Sequence, residues 1–191
     1  TLHGSSAASD VYKRQKEHDV EKIVYASTSS VYGGNEKLPF SETDEVIKPL
    51  QFYAVTKRTN ELMSEAYSSL YGIKSIGLRF FTVYGPFGRP DMALFLFTKN
   101  ILDDLPIDVF NNGKHMRNFT YVDDIVEGVV SAAIKKPKFS MKDHEIFNLA
   151  SREQIDLMDF IKEIEINLGK KAKMNFMPLQ KGDVPSTASD I

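Results

Sequence analysis

The strongest constraint on this chain is an alternation: short apolar runs such as Ile23-Val24-Tyr25-Ala26 and Ser75 to Phe81 are separated by longer segments with helical periodicity. Strands that alternate with helices of about ten or more residues specify a mostly parallel α/β sheet. The helices are expected after Pro49 and through Tyr53, Leu62, Met63 and Ala66 to Tyr71, at Met92 to Leu102, at Val122 to Ile134 and at Leu157 to Leu168. Gly72 and Gly169 are their natural stops, because a left-handed C-terminal cap favours glycine. Further strands are expected at Ile107 to Phe110 and Ile146 to Ala150. The opening TLHGSSAASDVYKR is small, polar and without a period, and reads as a non-native or disordered lead over residues 1–14.

Charge and composition remove several functional classes. Lys and Arg number 24 against 26 Asp and Glu, a formal net charge of -2, so the basic stripe of a nucleic-acid binder is not expected. With no cysteine, the chain has no disulfide, thiolate metal site or thiol nucleophile. The four histidines, His3, His18, His115 and His144, have no ligand spacing, and no metal is expected. No apolar run approaches the roughly 20 residues of a membrane span. The expectation is a soluble, cytoplasmic protein without membrane or nucleic-acid partners.

Two groups of residues carry chemistry. Tyr53 and Lys57 are four apart, which on a helix places them on one face. An ammonium beside a phenol favours the phenolate, and a tyrosine so tuned serves as a general base. Alone the pair is weak evidence, because the same spacing arises often by chance. The second group is Thr28-Ser29-Ser30 at the end of the first buried strand, where ligands bind in open α/β sheets. These hydroxyls either bind a substrate oxygen or satisfy their own turn. Asp123 and Asp124 open a helix and read as cap and dipole partners.

The order Ala-Ser-Thr-Ser-Ser-Val-Tyr-Gly, Tyr53-x-x-x-Lys57 and Arg79-Phe-Phe-Thr-Val-Tyr-Gly-Pro86 resembles the extended short-chain dehydrogenase/reductase family, in its branch of NAD-dependent sugar-nucleotide epimerases and dehydratases. Arg89-Pro-Asp-Met-Ala-Leu-Phe, Val109-Phe110-Asn-Asn-Gly113, Arg117-Asn-Phe-Thr-Tyr-Val-Asp-Asp124 and Gly182-Asp-Val-Pro185 are similar to the UDP-glucuronate 4-epimerases in particular. The resemblance implies a C-terminal part of a Rossmann-like parallel sheet, over 15–85 and 119–150, plus a smaller α/β UDP-sugar region over 86–118 and 151–191. It implies Tyr53 as base for the sugar 4-hydroxyl, Lys57 as its partner and holder of the nicotinamide ribose, and Thr28 as the catalytic hydroxyl. Ser27 joins Tyr53 and Lys57 at the NAD cofactor. Thr28, Ser29, Ser30, Thr82 and Arg89 face the sugar, Phe110 packs the uracil, and Arg117 pairs with the diphosphate. The implied reaction is epimerisation of UDP-glucuronate to UDP-galacturonate through a 4-keto sugar, by a homodimer.

Departures from the family pattern define the rivals. Asn118 replaces an expected aspartate and is expected to loosen its loop, and Gln180 replaces the second diphosphate arginine of galactose-type epimerases. Ser29 and Ser30 stand where a 4,6-dehydratase or a UDP-glucuronate decarboxylase carries carboxylates, which argues against both. UDP-galactose 4-epimerase shares the core chemistry and is the runner-up, and a non-catalytic module that binds UDP-sugars or dimerises is the alternative of another class. The glycine-rich phosphate turn of the family is absent among the eleven glycines. The expectation is therefore an internal fragment, inactive by itself, of a longer enzyme.

Overall fold

A computed structural model describes residues 7–134, 143–184 and 186–190. Residues 1–6 of the expected lead, the expected helix stop at 135–137, Pro185 and Ile191 lie outside them. In chain order come α1 (Ala7–Glu17), β1 (Lys22–Thr28), α2 (Phe52–Tyr71), β2 (Lys74–Phe80) and β3 (Thr82–Tyr84). Then follow α3 (Ala93–Leu102), β4 (Pro106–Val109), β5 (Met116–Arg117), β6 (Phe119–Tyr121) and α4 (Val122–Ile134). The chain closes with β7 (His144–Leu149), β8 (Ile155–Asp156), α5 (Leu157–Leu168) and β9 (Lys173–Phe176). Gly72 and Gly169 take the left-handed cap conformation, at φ 67° and 64°.

The chain divides into two compact units. The first contains the described residues of 1–35, 42–80 and 126–149, and the second those of 36–41, 81–125 and 150–191. The first unit is built on a fully parallel sheet of order β1-β2-β7. One row of its register aligns Ser27, Arg79 and Asn148 across all three strands, near their carboxyl ends. All three are buried. A polar row inside a sheet needs partners from another layer, because unpaired buried polar groups are costly.

Helix α2 provides some of those partners. Its buried residues are Ala54, Glu61, Ser64 and Ser68, while Leu62 and Ala66 are exposed. Apolar periodicity thus marks the wrong face of this helix, since the face on the sheet is small and polar. Ser68 Oγ lies 2.6 Å from Ser75 Oγ, and Glu61 faces the row of Ser27 and Arg79. Within the stretch expected to be a non-native or disordered lead, residues 7–14 belong to helix α1. Tyr12 is buried against Ile23 and Ile73, with its ring 5.4 Å from that of Tyr67. One aromatic anchor is enough to dock a segment whose overall composition is polar.

In the second unit β3 pairs with β6, β4 with β9, and β5 with β8. Its core joins Phe97 and Ile101 of α3, Ile107 and Val109 of β4, and Leu157, Ile161 and Ile164 of α5. Residues 81–85 and 119–125 fall here rather than with the first sheet, because β3 and β6 form a small sheet of their own. Residues 36–41 do so because Phe40 exchanges backbone hydrogen bonds with Ala188 and Asp190.

Candidate functional site

In the first unit, α2 packs against β1 and the 3₁₀ turn of Ser29–Tyr32 that follows it. This brings Lys57 to β1 near its carboxyl end, with Tyr53 one helical turn before it on α2. The Lys57 ammonium donates to the carbonyl of Ala26 at 3.1 Å and lies 5.9 Å from the centre of the Tyr53 ring, within cation–π range. Tyr53 is about half exposed, at 51%. The sequence placed these two side chains on one face, and they share it.

Thr28 ends β1 and begins the turn. Its Oγ1 accepts from the Ser30 amide at 3.2 Å and donates to Ser30 Oγ at 3.3 Å. The Thr28 hydroxyl therefore caps its own turn, with Ser30 Oγ accepting from it, while Ser29 and Ser30 stay partly exposed.

Ser27 is the residue expected beside Tyr53 and Lys57 at the NAD cofactor. Its hydroxyl turns inward and donates to Glu61 Oε1 at 2.6 Å. Glu61 is fully buried and also accepts from Arg79 Nε at 2.9 Å, Arg79 Nη2 at 3.0 Å and Arg58 Nη1 at 3.0 Å. Burial pushes the Glu61 carboxyl upward, but the hydrogen bonds and charge of Arg79, with Ser27 and Arg58, outweigh it and hold the group below the usual carboxylate range. The Arg79 guanidinium lies 4.7 Å from the ring centre of buried Tyr32, whose hydroxyl donates to Asn148 Oδ1 at 2.8 Å. The Asn148 backbone N–H donates to Glu42 Oε1 at 2.7 Å. Sequence reading assigned no role to Glu61, Tyr32 or Asn148. A signal existed: Arg79 sits inside an otherwise apolar strand, and Glu61 is one helical turn beyond Lys57.

In the second unit, Arg117 is largely buried. It donates to Asp183 Oδ1 at 3.0 Å, to the Val184 carbonyl at 2.7 Å and to the Met116 carbonyl at 3.1 Å. Asp183 also lies 3.4 Å from His115 Nε2. Burial lowers the affinity of Arg117 for its proton, and Asp183 opposes that. Asn118 corrects the expected loosening: fully buried, it donates to the carbonyls of Ser151 and Glu153 at 2.9 and 3.1 Å, bonds that an ionised aspartate could not make. Phe110 is half-buried and opens a turn in which Asn111, Asn112 and Gly113 have φ of 52°, 50° and 78°. Asn and Gly are the residues that tolerate this backbone. Thr82 and Arg89 line one cavity of about 480 Å³, but Arg89 is exposed and clamps Asp91 through two hydrogen bonds. That pairing holds the Asp91 carboxyl below its usual range.

His144 and His115 set an acid limit on stability. Burial lowers the pKa of both, aided at His115 by the charge of Arg117, and His144 Nε2 lies 2.8 Å from the Tyr25 hydroxyl. A folded pKa below the unfolded value, about 6.5, means that the unfolded chain takes up protons first. The stability is present above pH 6.5 and is lost as pH falls toward the folded pKa. Melting temperature should therefore decline from pH 7.5 to 5.5, and His144→Gln should flatten part of that slope.

Comparison with known proteins places this geometry. Among curated relatives, the uncharacterized protein MJ1055 of Methanocaldococcus jannaschii is 55% identical over 182 residues, 95% of this chain and 54% of that protein. A probable UDP-glucuronate 4-epimerase of Rhizobium meliloti is 42% identical over 179 residues, 86% of this chain and 52% of that protein. The crystal structure of a UDP-glucuronic acid 4-epimerase from Bacillus cereus, in complex with UDP-glucuronic acid and NAD, matches with a TM-score of 0.89 at 36% identity. That match covers 96% of this chain and 57% of the Bacillus chain. The present chain spans about half the length of the curated relatives it matches. With the family model matching residues 6–150, and the tyrosine and lysine of the sequence motif together at the end of a parallel strand, the chain belongs to the NAD dependent epimerase/dehydratase family.

Proposed function

We propose that the complete enzyme carrying this chain inverts C4 of UDP-glucuronate to give UDP-galacturonate, with NAD as a resident cofactor. The observation that carries the reading is the half-exposed Tyr53 side chain beside a Lys57 ammonium anchored on Ala26 near the carboxyl end of β1. Similarity to the Rhizobium and Bacillus 4-epimerases favours the uronate over the galactose substrate.

The residues present fit the nicotinamide end of NAD. Lys57 uses one of its three donors on Ala26, leaving two for ribose hydroxyls next to the Tyr53 side chain. NAD supplies the acceptor and donor of hydride at C4. Tyr53 removes the proton of the 4-hydroxyl as that carbon is oxidised, and returns it once the 4-keto sugar is reduced on its other face. The Lys57 ammonium faces the charge that forms on Tyr53. Thr28, with Ser29 and Ser30 beside it, steadies the reacting oxygen by turning its hydroxyl from Ser30. Arg117 takes the diphosphate, for which a planar, always-charged fork is suited, and Phe110 packs the uracil. On α2, Phe52, Val55, Leu62 and Leu70 are exposed along one side, and this stripe supports the homodimer.

Thr82 and Arg89 face the sugar, and Arg89 distinguishes the substrates. A uronate carboxylate needs a cation or several donors where it is buried. Arg89→Ala in the complete enzyme is expected to weaken use of UDP-glucuronate by about 1.5–3 kcal/mol in kcat/KM, with far less change on UDP-glucose or UDP-galactose. Equal losses on acidic and neutral sugars would make the clamp on Asp91 the role of Arg89 and favour the galactose reading.

A further inference from the structure

The buried cluster under the Tyr53 helix has a geometry that simple packing does not require. Glu61 collects donors from three directions: Ser27 on β1, Arg79 on β2 and Arg58 on its own helix. Its anchor on β1, Ser27, lies between Ala26, whose carbonyl holds the Lys57 ammonium, and Thr28, which ends the strand. Glu61 follows Lys57 by one turn of α2 and Tyr53 by two, so all three belong to one rigid element. The helix that carries the phenol and ammonium is thereby tied to the strand that carries the reacting hydroxyl. These ties are charge-assisted and directional, and they lie closer along α2 to Tyr53 and Lys57 than the neutral contact of Ser68 with Ser75 near the other end of the helix.

We propose that Glu61 is a positioning residue for the reaction: by gripping Ser27, Arg79 and Arg58 it fixes the register of α2 on β1 and β2, and with it the place of Tyr53 and Lys57 near the end of β1. The proposal rests on the epimerase reading. A shift of about 1 Å in a reacting group costs up to a hundredfold in rate, so small losses of register are visible in kcat.

Ser27→Ala removes one hydroxyl and leaves Glu61 paired with both arginines. In the complete enzyme it is expected to lower kcat by about 10- to 100-fold. KM for UDP-glucuronate should stay within about twofold, NAD released on denaturation should stay at the wild-type amount, and the melting temperature should move by only a few degrees. Glu61→Asp keeps the charge but draws the carboxylate back by one methylene, and should give the same pattern. A wild-type kcat in both variants overturns the proposal. So does a loss of kcat that tracks a loss of bound NAD, which would return Ser27 to the cofactor site, or one that tracks a loss of fold. Absence of epimerase activity in the wild-type enzyme would instead reject the functional reading itself, so the two failures are distinct.

Discussion

Tyr53→Phe in the complete enzyme is expected to lower kcat by about two to four orders of magnitude, the range for a positioned proton-transfer group. The substitution removes one oxygen from a side chain that is half exposed and fixed through its helix, so stability should change little. KM should also hold, because the phenol acts on the proton that moves and not on the nucleotide. Steady-state kinetics on UDP-glucuronate, with circular dichroism to verify the fold, checks this. A variant within a few-fold of wild type would remove Tyr53 from the base role. Thr28 and Lys57 would then have no partner that accepts the proton.

The second large effect is on stability. Arg79 and Glu61 are both buried, and their two mutual hydrogen bonds are 2.9 and 3.0 Å long. Breaking a buried pair from one side leaves a charge without compensation and costs about 3–5 kcal/mol. Arg79→Met should therefore destabilise the chain by about that amount in urea unfolding. Glu61→Gln combined with Arg79→Met removes both charges and should recover a large part of the loss. The pair also has a pH signature. The Glu61 pKa is depressed in the folded state, so its stabilisation is present above the unfolded value, about 4.3, and disappears as pH falls through the folded one. A single variant as stable as the wild type would mean that water reaches this pair.

The elements that carry the site were legible because they obey simple rules. The helices Val122 to Ile134 and Leu157 to Leu168 were expected over their observed spans, and α2 was expected as far as its glycine cap at Gly72, while the spacing of Tyr53 and Lys57 gave only their shared face and the family resemblance gave their roles. The short strands β3, β5, β6 and β8 were not legible, since two or three residues carry no period and their pairing is decided by tertiary partners. Tyr12 was hidden inside a polar segment, and the inward face of α2 was hidden by its serines, which hydropathy counts as surface. Ser27 is the instructive case. The family resemblance assigned it to the cofactor, and its hydroxyl is held by a buried carboxylate on the neighbouring helix. Arg79 announced that carboxylate, because a cation inside an apolar strand must have a partner.

In the proposed reaction, C4 of a UDP-uronate is oxidised and re-reduced on one resident cofactor, with Tyr53 moving the proton of the 4-hydroxyl. UDP-glucuronate deuterated at C4, incubated with the complete enzyme and followed by proton and deuterium NMR, tests it most directly. The expected product is UDP-galacturonate that keeps deuterium at C4 with inverted configuration, with no deuterium in the solvent. Failure to form the C4 epimer, or an epimer whose C4 position has exchanged with water, would contradict the proposed reaction.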